Sequence, residues 1–293
     1  MKKPTMQRCA TSQYYNPFKR SRRSGITSMA KPRFQTLSMI GLLLAMTLPA
    51  SATGLERIAA DRPDFVDSGD VVGAGHFQIE TSTSIERDNR DGIRTRTVST
   101  PTLLRLGVVE SLELRLETDG RLVERSSSNG ASQTITGNGD LSLGIKWHAV
   151  KGDDGQPSIG WVAQVDIDSG SVAFRGAGLR PSLRMAIEWE LPAAFSLGMM
   201  QGLVWNKTAT GERFISGQFG VGLGKSWDDR LRSFVEFSAP QIAPARQGGS
   251  LINADIGVTY LLTDNVQVDT AVSRGLNRNT PNLNWTVGLS VRF

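Results

Sequence analysis

Two short stretches of the sequence contain residue types that could support enzyme chemistry. The triplet 224–226 reads GKS, as in a phosphate-binding loop, but that loop needs a glycine where Phe219 stands and a helix after the serine. Ser142 and His148 could act as a nucleophile and its base, but six residues of extended chain separate them by roughly 20 Å. His76 and His148 are the two histidines, and no HExxH motif is present. We therefore predict no enzyme activity, no cofactor and no metal site.

A larger set of charged residues alternates with apolar residues, which places the charges on one face of extended segments. In a closed sheet they would line the lumen: Glu80, Arg105, Glu113, Arg115, Glu117, Lys146, His148, Asp166, Arg184, Glu188, Glu236, Asp255, Asp269 and Arg292. Such charges either pair across a narrow lumen and close it, or line a water-filled path and select solutes. The residue types alone leave both alternatives open.

These charges belong to twelve alternating segments, the first beginning at Phe77 and the last being NWTVGLSVRF at 284–293. The segments are joined by connections that are alternately short and long. Short ones are predicted at 109–111, 151–157, 192–194, 228–230 and 263–265, and long ones near 87–93, 119–136, 169–180, 207–212, 240–250 and 274–282. Short periplasmic turns, long outer loops and an even strand count are typical of outer-membrane barrels.

We therefore predict an all-β fold, a closed antiparallel up-and-down transmembrane β-barrel of about 12 strands over residues 75–293, with both termini periplasmic. A soluble β-sandwich would also alternate and is the competing fold. The barrel additionally predicts an aromatic girdle at each water–lipid interface. Its members would be Phe77, Trp147, Trp161, Trp189, Phe195, Trp205, Trp227, Phe237, Tyr260, Trp285 and Phe293.

The N-terminal part of the chain differs sharply in composition. Residues 1–52 contain nine of the 33 basic residues and no Asp or Glu, so the remaining 241 residues hold 24 basic and 28 acidic ones. Within it, 29–52 has a charged start, an apolar run and a small-residue site ending at Ala52, which is typical of a secretory signal peptide. We predict an extension and signal peptide over 1–52, cleavage after Ala52, and export to the outer membrane of a Gram-negative bacterium.

The beginning of the predicted mature chain has a specific motif. Residues 61–65 read DRPDF, and residues 75–80 read GHFQIE. This pattern resembles the start of a bacterial family of proposed outer-membrane transporters associated with the meta-pathway of phenol degradation. The resemblance implies a porin-like β-barrel that moves small, often aromatic, compounds across the outer membrane.

Residues 53–74 precede the first predicted strand and have two interpretations. They could form a loose periplasmic tail, or they could fold into the lumen as a plug in which Arg62 and Asp64 meet wall charges. The chain also ends on Phe293 in phase with its last strand, as in outer-membrane proteins that present this strand to the barrel-assembly machinery.

We predict a channel or transporter that gives small, aromatic or hydrophobic solutes passive passage. A structural or ligand-binding barrel with a closed lumen is the second hypothesis, and an outer-membrane enzyme the third. The predicted partners are outer-membrane lipid, the barrel-assembly machinery and a small-molecule solute. Nucleic acid is not expected, because the basic excess belongs to residues 1–52.

Overall fold

The computed structural model describes residues 57–153, 155–208 and 210–293. The predicted extension and signal peptide, residues 1–52, lie outside the described residues. Short 3-10 turns occupy Pro192–Ala194 and Ala245–Gln247, and no helix in the described part is long and apolar enough to cross a membrane. The strands are β1 (Phe77–Arg90), β2 (Ile93–Ser99), β3 (Thr102–Val109), β4 (Leu112–Thr118), β5 (Arg121–Ser128), β6 (Ala131–Asn138), β7 (Leu141–Val150), β8 (Ser158–Ile167), β9 (Arg180–Leu191), β10 (Phe195–Lys207), β11 (Arg213–Ser226), β12 (Leu231–Ile242), β13 (Leu251–Thr263), β14 (Val266–Gly275) and β15 (Leu283–Arg292).

Twelve of these strands form a closed antiparallel barrel. Its order is β1, β3, β4 and then β7 to β15, and β15 pairs with β1 over the register Gln78↔Arg292 to Arg87↔Leu283. Closure pairs the backbone groups that two free edges would otherwise expose. The prediction of a twelve-stranded antiparallel barrel is confirmed, and the chain's last strand is its seam. Which side of the membrane the termini occupy stays a prediction.

The two faces of the wall differ in polarity as the alternation predicts. In β15, Gly288 and Ser290 face inward and are buried, whereas Val287 and Leu289 face outward with 48% and 41% of their surface exposed. An outward apolar face of this kind is costly in water and favourable in a bilayer. We call the end of the barrel near Phe77 the short-turn end and the opposite end the long-loop end.

Two of the predicted loops are instead strands, and that part of the sequence interpretation is wrong. The region 87–93 contains the end of β1 and the start of β2, and 119–136 forms the hairpin β5–β6. β2 pairs with the end of β1 and with β5, and β5 pairs with β6. Because these strands are polar on both faces, the apolar alternation does not reveal them. We call this sheet, residues 84–99 and 121–138, the extension.

The turns of the extension carry a signal that the sequence does contain. Asp91-Gly92 and Asn129-Gly130 join the paired strands, and all four residues have positive φ, between 50° and 80°. Asp-Gly and Asn-Gly are the preferred pairs for two-residue type I′ hairpin turns. The GKS triplet lies at the end of β11 and is followed by a turn into β12.

Candidate functional site in the barrel interior

Six charged side chains meet inside the barrel and form what we call the central ion cluster. The members are Glu80 of β1, Arg105 of β3, Glu113 and Arg115 of β4, Lys146 of β7, and Asp61, which precedes the first strand. Each is at most 5% exposed. Three cations and three carboxylates balance, which is the condition under which buried charges are tolerated.

The register of β3 and β4 explains why the cluster needs its acids. Arg105 lies directly opposite Arg115, and like charges in that position repel one another. Glu113 offsets this by holding Arg105 with two hydrogen bonds of 2.8 and 2.9 Å and by accepting one of 3.1 Å from Arg115. Glu80 adds a third carboxylate contact to Arg105, at 2.9 Å. Wall residues alone therefore hold both guanidiniums in place, without a contribution from Asp61.

Asp61 is the centre of the cluster. Lys146 donates to its two carboxylate oxygens at 2.9 and 3.0 Å, and Arg115 donates to one of them at 2.5 Å. Burial raises the pKa of Asp61, but Arg105, Lys146 and Arg115 outweigh burial and hold the pKa well below its usual range. Asp61 is therefore an ionised anchor that ties the residues preceding β1 to three barrel strands.

Residues 57–74, which we call the N-terminal segment, are also held by their backbone. Glu80 accepts the amides of residues 61 and 62 at 3.1 and 3.0 Å, and Glu236 accepts those of residues 65 and 66, both at 2.9 Å. Paired amides that converge on one anion make a favourable binding concavity. Because the two glutamates stand on β1 and β12, the segment is fixed at separate parts of the wall.

Further contacts extend along the segment. Arg62 donates to Glu117 at 3.4 Å, and Arg232 donates to Asp64 at 3.1 and 3.2 Å. These are the two residues that the plug interpretation expected to meet wall charges. Near the end of the segment, the amide of Val72 donates a hydrogen bond of 2.9 Å to the carboxylate of Glu113, a member of the central ion cluster.

Glycines on the inward face give the segment room. A Cβ added to Gly220 of β11 would lie 2.8 Å from both the Phe65 ring and a Val66 methyl carbon. A Cβ on Gly107 of β3 would overlap the carbonyl of Gly73. Glycine at these positions lets the backbone of another segment approach closely. The inward glycines of β3 and β11 are therefore complementary to the N-terminal segment.

Two cavities lie on either side of the N-terminal segment. The one toward the long-loop end has a volume of about 300 Å³ and extends to Phe174 and Arg180. The one toward the short-turn end has a volume of about 210 Å³ and extends to Ile58 and Thr259. Arg62, Asp64 and Asp67 line both cavities, so the segment forms the partition between them.

All fourteen residues predicted to line the lumen occupy inward-facing positions of their strands. Eight are buried: Glu80, Arg105, Glu113, Arg115, Lys146, Glu236, Asp269 and Arg292. Six are half-buried: Glu117, His148, Asp166, Arg184, Glu188 and Asp255. Only five of the fourteen join the central ion cluster. The part of all fourteen in conduction stays a prediction.

Other predicted lumen residues are kept apart by their height in the barrel. Arg292 bonds Asn265 at 2.8 Å near the short-turn end, whereas Asp166 lies 3.5 Å from Arg180 toward the long-loop end. Arg180 also bonds Asp140 at 2.8 Å. The sequence did not reveal Arg180 and Asp140 because each lies where a strand begins, outside the alternating part: Arg180 is the first residue of β9 and Asp140 directly precedes β7.

The predicted girdle residues lie on the outward face or at its rims. Trp147, Trp205, Trp285 and Phe293 have between 42% and 60% of their surface exposed. Phe77 stacks against Phe293 with ring centroids 6.3 Å apart, where the first and last strands of the barrel meet. The remaining members are Trp161, Trp189, Phe195, Trp227, Phe237 and Tyr260.

One arrangement resembles a catalytic triad. His148 Nε2 lies 3.4 Å from Ser158 Oγ, and its Nδ1 lies 3.7 Å from Asp70. However, Nε2 also lies 2.9 Å from the carbonyl oxygen of Val150, which only an N–H can bond. The nitrogen nearest Ser158 therefore carries the proton and cannot remove another from the serine. Ser142, the nucleophile considered from the sequence, instead donates to Asp166 at 2.7 Å.

Comparison with known proteins now places this interior in a family. Residues 60–293 match the family model described as "Putative MetA-pathway of phenol degradation". The chain belongs to this family. The match begins within the N-terminal segment, one residue before Asp61, and runs to the last residue of the chain.

Solved structures are similar to this chain at low sequence identity, and the first of them shares its fold. An outer-membrane channel from Pseudomonas putida F1 superposes with a TM-score of 0.56 at 13% identity, covering 76% of this chain and 97% of that one. The porin KdgM in complex with oligogalacturonate gives a TM-score of 0.49 at 11% identity, covering 74% and 99%. No curated protein matches the sequence.

Proposed function

We propose that the protein is an outer-membrane channel that gives small solutes passive passage and that its N-terminal segment closes the lumen. The observation that carries this proposal is the pair of polar cavities separated by residues 57–74. A lumen filled by its own wall side chains would not need a separate segment to divide it. Removing the segment would join the cavities into one path along the barrel axis.

The family supports a solute class. Its description concerns phenol degradation, so we propose small aromatic compounds as the solutes. The open path would also favour neutral or cationic molecules, because carboxylates outnumber basic groups on the wall around the two cavities once the N-terminal segment is left out. The wall residues are Glu117, Asp119, Asp140, Asp166, Glu188 and Glu236 against Arg115, Arg180, Arg184 and Arg232.

The orientation belongs to the same proposal. Both termini would face the periplasm, since barrels of this class have short periplasmic turns and longer outer loops. The extension and its long hairpins would then face the cell exterior. The strand ending at Phe293 would be the one presented to the barrel-assembly machinery, after export and cleavage of the signal peptide.

A barrel that is permanently closed is the second candidate function. It is favoured by the neutral, fully buried central ion cluster, because buried ion pairs are costly to separate once formed. In that case the interior would be structural, and the long-loop end would carry the binding function.

Solute uptake separates the two candidates. Proteoliposomes containing the protein should take up radiolabelled phenyltrimethylammonium, an aromatic cation that crosses lipid slowly, faster than empty liposomes do, and more so when residues 57–74 are removed. Benzenesulfonate, an aromatic anion that also crosses lipid slowly, is the matched control and should enter more slowly than the cation. Uptake equal to that of empty liposomes, with and without the segment, would favour the closed barrel.

A further inference from the structure

The extension sorts its charges by face. On the outward face, which continues the lipid-facing side of β1, the strands carry five arginines and no acidic residue: Arg87, Arg94, Arg96, Arg121 and Arg125. The inward face carries Glu86, Asp88 and Glu124, and Asp88 pairs with Arg90 of the same face at 3.3 Å. A hairpin that only needs solubility would place opposite charges across from each other. Here the two signs are on opposite faces instead.

The register aligns three of the arginines in one row. Arg87 lies directly opposite Arg96, and Arg96 lies directly opposite Arg125. Adjacent strands are about 4.8 Å apart, and like charges at that distance destabilise the sheet. None of the three guanidiniums has a hydrogen-bond or ion-pair partner among the described residues, and all three residues are exposed. The row is therefore an uncompensated basic surface held by a rigid backbone.

The row of arginines borders the apolar face of the barrel. Two positions along each strand toward the barrel, the outward-facing residues are Ile85, Val98 and Val123. Ile85 lies opposite the girdle residue Trp285. Ten residues of β1 separate Phe77 from Arg87. At about 3.3 Å per residue and a tilt of about 40°, they rise about 25 Å, the height of the apolar band of a barrel. The arginines thus stand at the level of lipid headgroups.

We propose that Arg87, Arg96 and Arg125 bind the phosphate groups of lipid A, the phosphorylated glycolipid of the outer leaflet. A guanidinium binds phosphate with two parallel hydrogen bonds, and a row of three matches an anion with more than one phosphate. A groove of about 400 Å³, lined by Arg94 and Arg125 and by the turn at 129–130, continues the basic surface. The site rests on the proposed orientation, which puts the extension at the outer leaflet, but it needs no solute movement through the lumen.

Binding of labelled lipid A to the detergent-purified protein tests the proposal. The variant R87Q/R96Q/R125Q should bind lipid A on the order of 100-fold more weakly, since each arginine beside an anionic surface contributes about fivefold. The control R175Q/R213Q/R278Q removes three exposed arginines elsewhere near the long-loop end and should bind as the unchanged protein does. Lipid A without its phosphates should bind the unchanged protein as weakly as intact lipid A binds the first variant.

Three results would overturn the proposal. They are equal losses in the two triple variants, undiminished binding of dephosphorylated lipid A, and equally tight binding of phosphatidylglycerol vesicles. Heat-modifiable gel mobility reports whether each variant is folded. If the triple variant does not fold, R96Q alone carries the test, with an expected loss of about fivefold and R278Q as its control.

Discussion

Replacing Asp61 with asparagine removes the carboxylate of the N-terminal segment that lies at the centre of the central ion cluster; Asp67, the other carboxylate of the segment near the cluster, lies 3.8 Å from Arg115. The carboxylate is 2% exposed and is within 3.5 Å of Lys146, Arg115 and Arg105. In the D61N variant the cluster keeps three cations and two carboxylates, so one buried positive charge is uncompensated while the segment stays docked. Breaking a buried ion pair from one side costs about 3–5 kcal/mol.

The substitution destabilises the docked state by this free energy. It destabilises the undocked state less, because water reaches the cations once the segment has left. The docked-to-undocked ratio should therefore fall by about two to three and a half orders of magnitude, since about 1.4 kcal/mol corresponds to tenfold. Single-channel recording in planar bilayers measures this ratio as the fraction of time spent open. We expect long, frequent openings in D61N where the unchanged protein shows rare ones.

Two variants control the interpretation. Asp140→Asn disturbs a carboxylate that is 11% exposed, pairs with Arg180 and accepts the amides of Gly170 and Gly176, but has no hydrogen bond or ion pair with the described N-terminal segment. It should leave the open fraction unchanged. Adding Lys146→Met to D61N restores the charge balance and should lower the open fraction again. The reasoning would be refuted if folded D61N opened no more often than D140N.

Three further predictions concern the wall. Gly220→Ala places a methyl group 2.8 Å from Phe65 and should raise the open fraction, whereas Gly222→Ala, whose nearest neighbour is 3.6 Å away, should not; equal recordings would contradict the predicted close packing. Phe293→Asp, at the closing seam, should lower the yield of heat-modifiable barrel more than Asp229→Asn in an exposed turn, and equal yields would count against a role in assembly. Ser158→Ala should leave the rate of p-nitrophenyl ester hydrolysis at the background of the unchanged protein, and a drop would revive the enzyme hypothesis.

The barrel could be predicted from the sequence because its physical cause is local. Lipid on one side and water or protein on the other impose a period of two on every spanning strand, and closure requires the last strand to continue in phase to Phe293. The extension escaped prediction because both of its faces are polar, although Asp91-Gly92 and Asn129-Gly130 marked its turns. Apolar periodicity detects burial in lipid and does not detect strands in water.

The central ion cluster could be predicted only in part. The wall residues Arg105 and Arg115 followed from the alternation, but their partner Asp61 is 85 positions from Lys146 in a segment without periodicity. Asp64 and Arg232 are 168 positions apart. Such pairs depend on which strands the closed sheet brings around one segment. That neighbourhood is set by the order of strands around the barrel and by their register, neither of which the alternation reports.

The most direct test of the account is the single-channel conductance of the protein lacking residues 57–74, compared with that of the complete chain. The N-terminal segment divides the lumen into two cavities, so its removal should convert rare openings into a large and steady conductance. The D61N variant should reach the same conductance level for only part of the time, because it loosens the N-terminal segment without removing it. A folded deletion variant that conducts no more than the complete protein would contradict the claim that the N-terminal segment closes the path.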